Sequence, residues 1–184
     1  MSTGAHGLLL ARDRATLVIV DVQEAFRKAI PTFEAIAANT AILAQAARTL
    51  HVPIVVTEQY PRGLGETVPE VAEHLDDVTP VEKLEFSAAR AEGFELDPAR
   101  DQVLVCGIEA HVCVSQTVHD LLAAGRQVHV AADAVASRSA ENRALGLERM
   151  ERAGAIPSSV ETALFELLGR AGSDEFKAVQ QLVR

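Results

Sequence analysis

The chain has 184 residues, 48% of them hydrophobic and 23% charged, a balance that suits one globular domain around a single large core and argues against two domains of usual size. A formal net charge of −9, with no basic stripe to replace phosphate counterions, argues against a nucleic-acid partner. No apolar run approaches a membrane span or a signal-peptide core. Cys106 and Cys113 fit neither a disulfide framework nor a CxxC pair, so a cytoplasmic, reducing setting is expected.

In chain order, residues 1–14 are expected to form a loosely ordered arm of one domain spanning 1–184. Residues 16–21 read Thr-Leu-Val-Ile-Val-Asp, apolar on both faces, as in a strand covered by helices on each side. Helical spacing of Phe33, Ile36, Ala37, Ile42, Leu43, Ala46 and Ala47 predicts a helix over 32–50. A second strand is predicted over 53–58, a loop over 59–66, a short helix over 68–76 and a poorer third strand over 79–82 running into Lys83. Ser87 is a candidate cap for a short helix after Phe86, and 93–100 reads as a linker. The fourth strand covers 102–106. Gly107 breaks it, and a helix from Val112, stopped at Gly125, places Cys113 in its first turn. A fifth strand over 127–133, a helix over 139–153 capped by Ser139, and a short sixth strand at 155–156 follow. Ser158 or Ser159 caps a helix over 160–168, and Ser173 caps a terminal helix through Val183. This rhythm predicts an α/β, doubly wound, six-stranded, mostly parallel sheet with helices on both faces, in the order 3-2-1-4-5-6. Ligands of such sheets sit beyond the carboxyl ends of the strands, where Asp21, Lys83 and Cys113 all fall.

Each of those three has a plain alternative. A helix start favours a thiolate and an oxyanion, yet a lone cysteine is most often a small buried hydrophobe. An aspartate ending the first strand can bind a ribose or a metal, or cap a turn. Lys83 alone reads as a solvated cation. Cys106, mid-strand, reads as core. His111 lies near Cys113 but in the turn before the helix, so it is expected exposed or at a subunit contact and not as a base. His6, His51, His74, His119 and His129 read as structural or surface residues.

The strings Val18-Ile19-Val20-Asp21-Val22-Gln23, Lys83-Leu84-Glu85-Phe86-Ser87 and Gly107-Ile108-Glu109-Ala110-His111-Val112-Cys113-Val114 together resemble the isochorismatase-like cysteine hydrolase superfamily over nearly the whole chain. Thr57-Glu58-Gln59-Tyr60-Pro61-Arg62-Gly63-Leu64-Gly65 is most similar to its isochorismatase domain-containing protein branch. The resemblance implies an Asp21-Lys83-Cys113 triad, an oxyanion hole from the backbone N–H groups of Glu109 and Cys113, and a cis peptide at Ile108-Glu109. It also implies a homo-oligomer, a dimer or tetramer. Gln23, Phe26, Glu58, Tyr60 and Phe86 are expected around the pocket mouth. Phe26 and Tyr60 are candidates to sandwich a planar substrate, and Glu58 and Glu109 to disfavour anions. Nicotinamidases of the superfamily carry an Asp-x-His metal motif where this chain has Glu58-Gln59-Tyr60, so no metal or other cofactor is expected.

The expected function is hydrolysis of a small amide, carbamoyl or ureido C–N bond through a thioester, with a small molecule as partner, not a membrane or nucleic acid. The alternative is a catalytically vestigial binding or assembly module. A nucleotide-binding redox domain is weaker still, because no glycine fingerprint follows the first strand.

Overall fold

In the computed structural model, which describes residues 5–184, six strands form one sheet in the order β3-β2-β1-β4-β5-β6, with every neighbouring pair parallel. They are β1 (Ala15–Val20), β2 (Ile54–Gln59), β3 (Val81–Lys83), β4 (Gln102–Ile108), β5 (Gln127–Ala136) and β6 (Ile156–Ser158). Alternation along β1 and β4 divides the core into two layers. Leu17, Ile19, Leu104 and Cys106 face α1 (Phe33–Thr49), the four-residue turns α2 (Pro61–Leu64) and α3 (Pro69–Ala72) lie along the loops that follow β2, and Val18, Val20, Val103 and Val105 face α4 (Cys113–Ala123) and α5 (Ala140–Arg152). The first layer also holds α6 (Val160–Leu168) and α7 (Asp174–Leu182). Helices thus cover both faces, as the doubly wound reading requires.

The serines do what helix starts need. Ser139, Ser159 and Ser173 accept from the N–H groups of Asn142, Thr162 and Phe176, satisfying donors that have no intrahelical partner. Ser87 does not cap: its hydroxyl accepts no N–H of the short 3-10 turn that follows, and the Ala88 N–H goes to the Thr117 hydroxyl. Several boundaries differ from the sequence expectation. The helix expected over 68–76 shrinks to α3, and β3 ends on Lys83 instead of before it. β5 runs on to Ala136 because its register slips between the pairs Val105–Val130 and Gly107–Val135, looping out the residues between.

The N-terminal arm lies partly outside the described residues, as does the side chain of His6. Its later part is tied down. Leu10 is buried, the Ala11 N–H donates to Gln102 Oε1, and Arg14 makes a two-pronged bond to Asp101. Among the described residues no helix is long and apolar enough to cross a membrane.

Candidate active site

The carboxyl ends of β1, β2, β3 and β4 bring the three expected residues to one place. Asp21 follows β1 in the left-handed region, at φ +53°, a conformation aspartate tolerates better than most residues. Its Oδ2 accepts from Lys83 Nζ at 2.7 Å and its Oδ1 from the Thr57 hydroxyl at 2.7 Å. Both side chains of the ion pair are closed to solvent. Lys83 also donates to Gln59 Oε1 at 2.7 Å and approaches the carbonyls of Glu85 and Phe86 at 3.2 and 3.3 Å, so the ammonium is fully solvated by protein. It is not the exposed cation its type alone suggested.

Cys113 is the first residue of α4, 6% exposed, with Sγ directed at Gln59 Oε1 at 3.9 Å. Burial, and next the negative charge of Asp21, push its thiol up to about 12, with Lys83 opposing. The sequence led us to expect an acidified sulfur from the helix start. Desolvation and a neighbouring carboxylate outweigh that dipole, so the resting group is a thiol beside a base and not a preformed thiolate. Neither the Glu109 nor the Cys113 backbone N–H has a protein acceptor among the described residues, whereas the flanking Ala110, Val112 and Val114 donate to Ala136 and Glu109 carbonyls. Backbone N–H groups left without a protein acceptor beside a thiol can stabilise a carbonyl oxygen that gains charge there. The Ile108–Glu109 peptide is cis. Gly107, at φ +119°, lies so close to β1 that a Cβ there would stand 2.0 Å from the Val20 carbonyl oxygen; its lack of a side chain serves strand contact.

The expected mouth residues separate. Side chains alternate along a strand, so Thr57 and Gln59 reach the site while Glu58 points to the other face, its Oε1 accepting from the Thr67 N–H and hydroxyl at 2.6 and 2.7 Å. Gln23 is buried and spends its amide on the backbone of Gln59 and Gly65. Phe26 is half-buried against the core cluster, while Tyr60 and Phe86 stand 52% and 54% exposed. Tyr60, Arg62, Glu82, Leu84, Glu85 and Glu92 bound a cavity of about 430 Å³ that reaches Lys83 but neither Asp21 nor Cys113. Neither Glu58 nor Glu109 lines this cavity, and the Glu109 carboxylate is paired with Arg138 at 3.0 Å. His111 bonds Ser137 through Nδ1 at 3.0 Å, and Cys106 is buried core. No cluster of three His, Cys, Asp or Glu residues among those described is placed to hold a metal ion. Thr57 and Gln59 went unnoticed in the sequence; three polar residues in a row, Thr57-Glu58-Gln59, ending a strand that begins Ile54-Val55-Val56, were the available signal.

A parallel sheet in the order 3-2-1-4-5-6 thus carries a buried Asp–Lys pair and a cysteine that opens the helix after β4. The isochorismatase domain model matches residues 15–162, and the chain belongs to that family. It is 42% identical over 178 residues to the secreted isochorismatase effector Isc1 of Phytophthora sojae, covering 92% of this chain and 84% of that one. It is 42% identical over 172 residues to isochorismatase domain-containing protein 2 of Homo sapiens, covering 92% and 83%. Among solved structures, the MAR1 ribonuclease of Caenorhabditis elegans superposes with a TM-score of 0.88 at 39% identity, covering 95% of this chain and 92% of that one.

Proposed function

We propose that the chain hydrolyses a small amide, carbamoyl or ureido C–N bond through a thioester, with Asp21, Lys83 and Cys113 as its triad. The observation that carries this is the buried Asp21–Lys83 pair at 2.7 Å, set beside a thiol whose protonation both groups influence. Asp21 takes the thiol proton as sulfur attacks the carbonyl carbon, so the high resting proton affinity of Cys113 is relieved only as the new bond forms. Lys83 stays charged and keeps the carboxylate in place. The oxyanion meets the N–H groups of Glu109 and Cys113; Asp21 then passes its proton to the departing nitrogen. Water, giving a proton to Asp21, adds to the thioester, and collapse releases the acid and restores the thiol.

A homo-oligomer, dimer or tetramer, is part of this reading, since Tyr60, Leu84 and Phe86 leave an apolar surface open beside the site. Two free cysteines, one of them the nucleophile, suit a reducing cytoplasm. The test is a screen of small amides and ureides with intact-mass detection of an acyl adduct. Cys113→Ala is expected to abolish both turnover and adduct; turnover retained by purified Cys113→Ala protein would rule the mechanism out.

A second reading, a binding or assembly module with an idle site, is favoured by the thiol held near 12 and by a cavity that stops short of the sulfur. Failure of the wild type to form any adduct across the screen supports it. An RNA substrate, suggested by the name of the nematode structure, sits poorly with the charge of −9; RNA cleavage lost in Cys113→Ala would nonetheless displace the amide reading.

A further inference from the structure

The last residue of β2 carries a side chain that neither the sheet ladder nor the triad requires. Gln59 is the register partner of Lys83 in the β2–β3 pair, so the two side chains emerge side by side. Its Nε2 donates to the Leu84 carbonyl at 2.9 Å, while its Oε1 accepts from Lys83 Nζ at 2.7 Å and faces Cys113 Sγ at 3.9 Å. The opposite amide flip would set donors against an ammonium and oxygen against oxygen, so chemistry dictates the orientation. The backbone is clamped too, because the Gln23 amide bonds both the N–H and the carbonyl of Gln59, at 2.9 and 3.0 Å. An amide oxygen is thus aimed at the point where thiol and ammonium meet.

We propose that Gln59 is a positioning residue: its oxygen, shared by the Lys83 ammonium and the Cys113 S–H, holds the resting sulfur in its protonated form and releases that proton to Asp21 when sulfur attacks. Two effects act in the same direction. A neutral acceptor bonded to S–H favours thiol over thiolate, and it occupies a Lys83 N–H that would otherwise turn toward the sulfur. The charged groups acting on Cys113 are Asp21 after β1, which raises its proton affinity by charge and as a second hydrogen-bond partner, Lys83 on β3 and Glu109 after β4. Arg138 covers Glu109, and His111 is turned to Ser137. The kinetic meaning of Gln59 rests on the thioester reading above; its hold on the resting thiol does not.

The test compares full-length wild type with Gln59→Met, which keeps the length but removes the acceptor, and Gln59→Glu, which adds an anion. Iodoacetamide labelling of Cys113 is followed by peptide mass spectrometry between about pH 7 and 10. Gln59→Met should label faster and Gln59→Glu slower than wild type at fixed pH, by about tenfold for each pH unit the thiol titration moves. Gln59→Asn, too short to reach the sulfur, should follow Gln59→Met and replaces it if that variant loses its native melting transition. Rates within about twofold of wild type, or Met (or Asn) and Glu variants moving in the same direction, would overturn the proposal. A wild type that turns over no amide removes the hydrolase reading and leaves this rate order intact, so the two failures are distinguishable.

Discussion

Asp21 has one oxygen on Thr57 and the other on Lys83, and its negative charge is the largest influence after burial that keeps Cys113 protonated. Asp21→Asn keeps a residue that tolerates the left-handed backbone but removes the charge and the base. It is expected to abolish turnover while making Cys113 label faster with iodoacetamide, an opposition that simple misfolding would not produce. Lys83→Met should do the reverse to the sulfur and slow its labelling, since the ammonium is what lowers the thiol's proton affinity. It also strands a buried carboxylate, and denaturant unfolding should register a loss of about 3–5 kcal/mol. At this scale the places of Asp21, Lys83 and Cys113 were readable because each ends a strand or opens a helix. Thr57 and Gln59 were not, because their roles depend on which strands become neighbours: Thr57 reaches Asp21 only because β2 lies beside β1, and Gln59 reaches Lys83 only because β3 lies beside β2.

Among the elements, β4 runs on through Gly107 to Ile108 instead of breaking at Gly107, and its end and the turn after it press closely on β1 and α5. A Cβ on Gly107 would stand 2.0 Å from the Val20 carbonyl oxygen, and one on Gly146 in α5 would stand 2.6 Å from the Ala110 carbonyl oxygen. Backbone cannot yield as a flexible side chain would. Gly146→Ala should therefore lower stability by about 1–3 kcal/mol, as overpacking does. Gly107→Ala adds a positive φ to a closer clash and should lower it further, to the point of insolubility; thermal melts of the two variants check the order. Helix starts were legible at this scale wherever a serine caps with its own hydroxyl, as at Ser139, Ser159 and Ser173. The extent of β5 was not, because its continuation past Asp133 depends on a register slip against β4 that no local pattern encodes.

For the whole molecule, acid stability follows from a histidine that the site does not use. His129 lies buried in β5, its Nε2 3.0 Å from the Gln127 amide nitrogen, and so accepts as a neutral ring. Burial pushes its pKa down to about 4 from 6.5. The unfolded chain binds a proton between those values that the folded chain refuses, so this contribution is intact above about pH 6.5 and is lost as pH falls through about 4. Chemical unfolding should show up to about 3 kcal/mol of stability lost over that window, and His129→Gln should flatten it. Light scattering should give a mass of two or four chains; a mass of one, 19.7 kDa, would remove the assembly from the proposed function.

By itself the sequence determined the strand–helix alternation, the two-layer core and the three chemical residue types at the strand ends. Those follow from periodicity and local capping, which act over a few residues. Which polar groups meet was decided only by tertiary structure. The alternation of side chains turned Glu58 to Thr67 and Gln59 to Lys83 and Cys113. The proton on the sulfur was decided there too, because desolvation and the Asp21 charge depend on packing between strands far apart in the chain, and together they exceed what the start of one helix supplies.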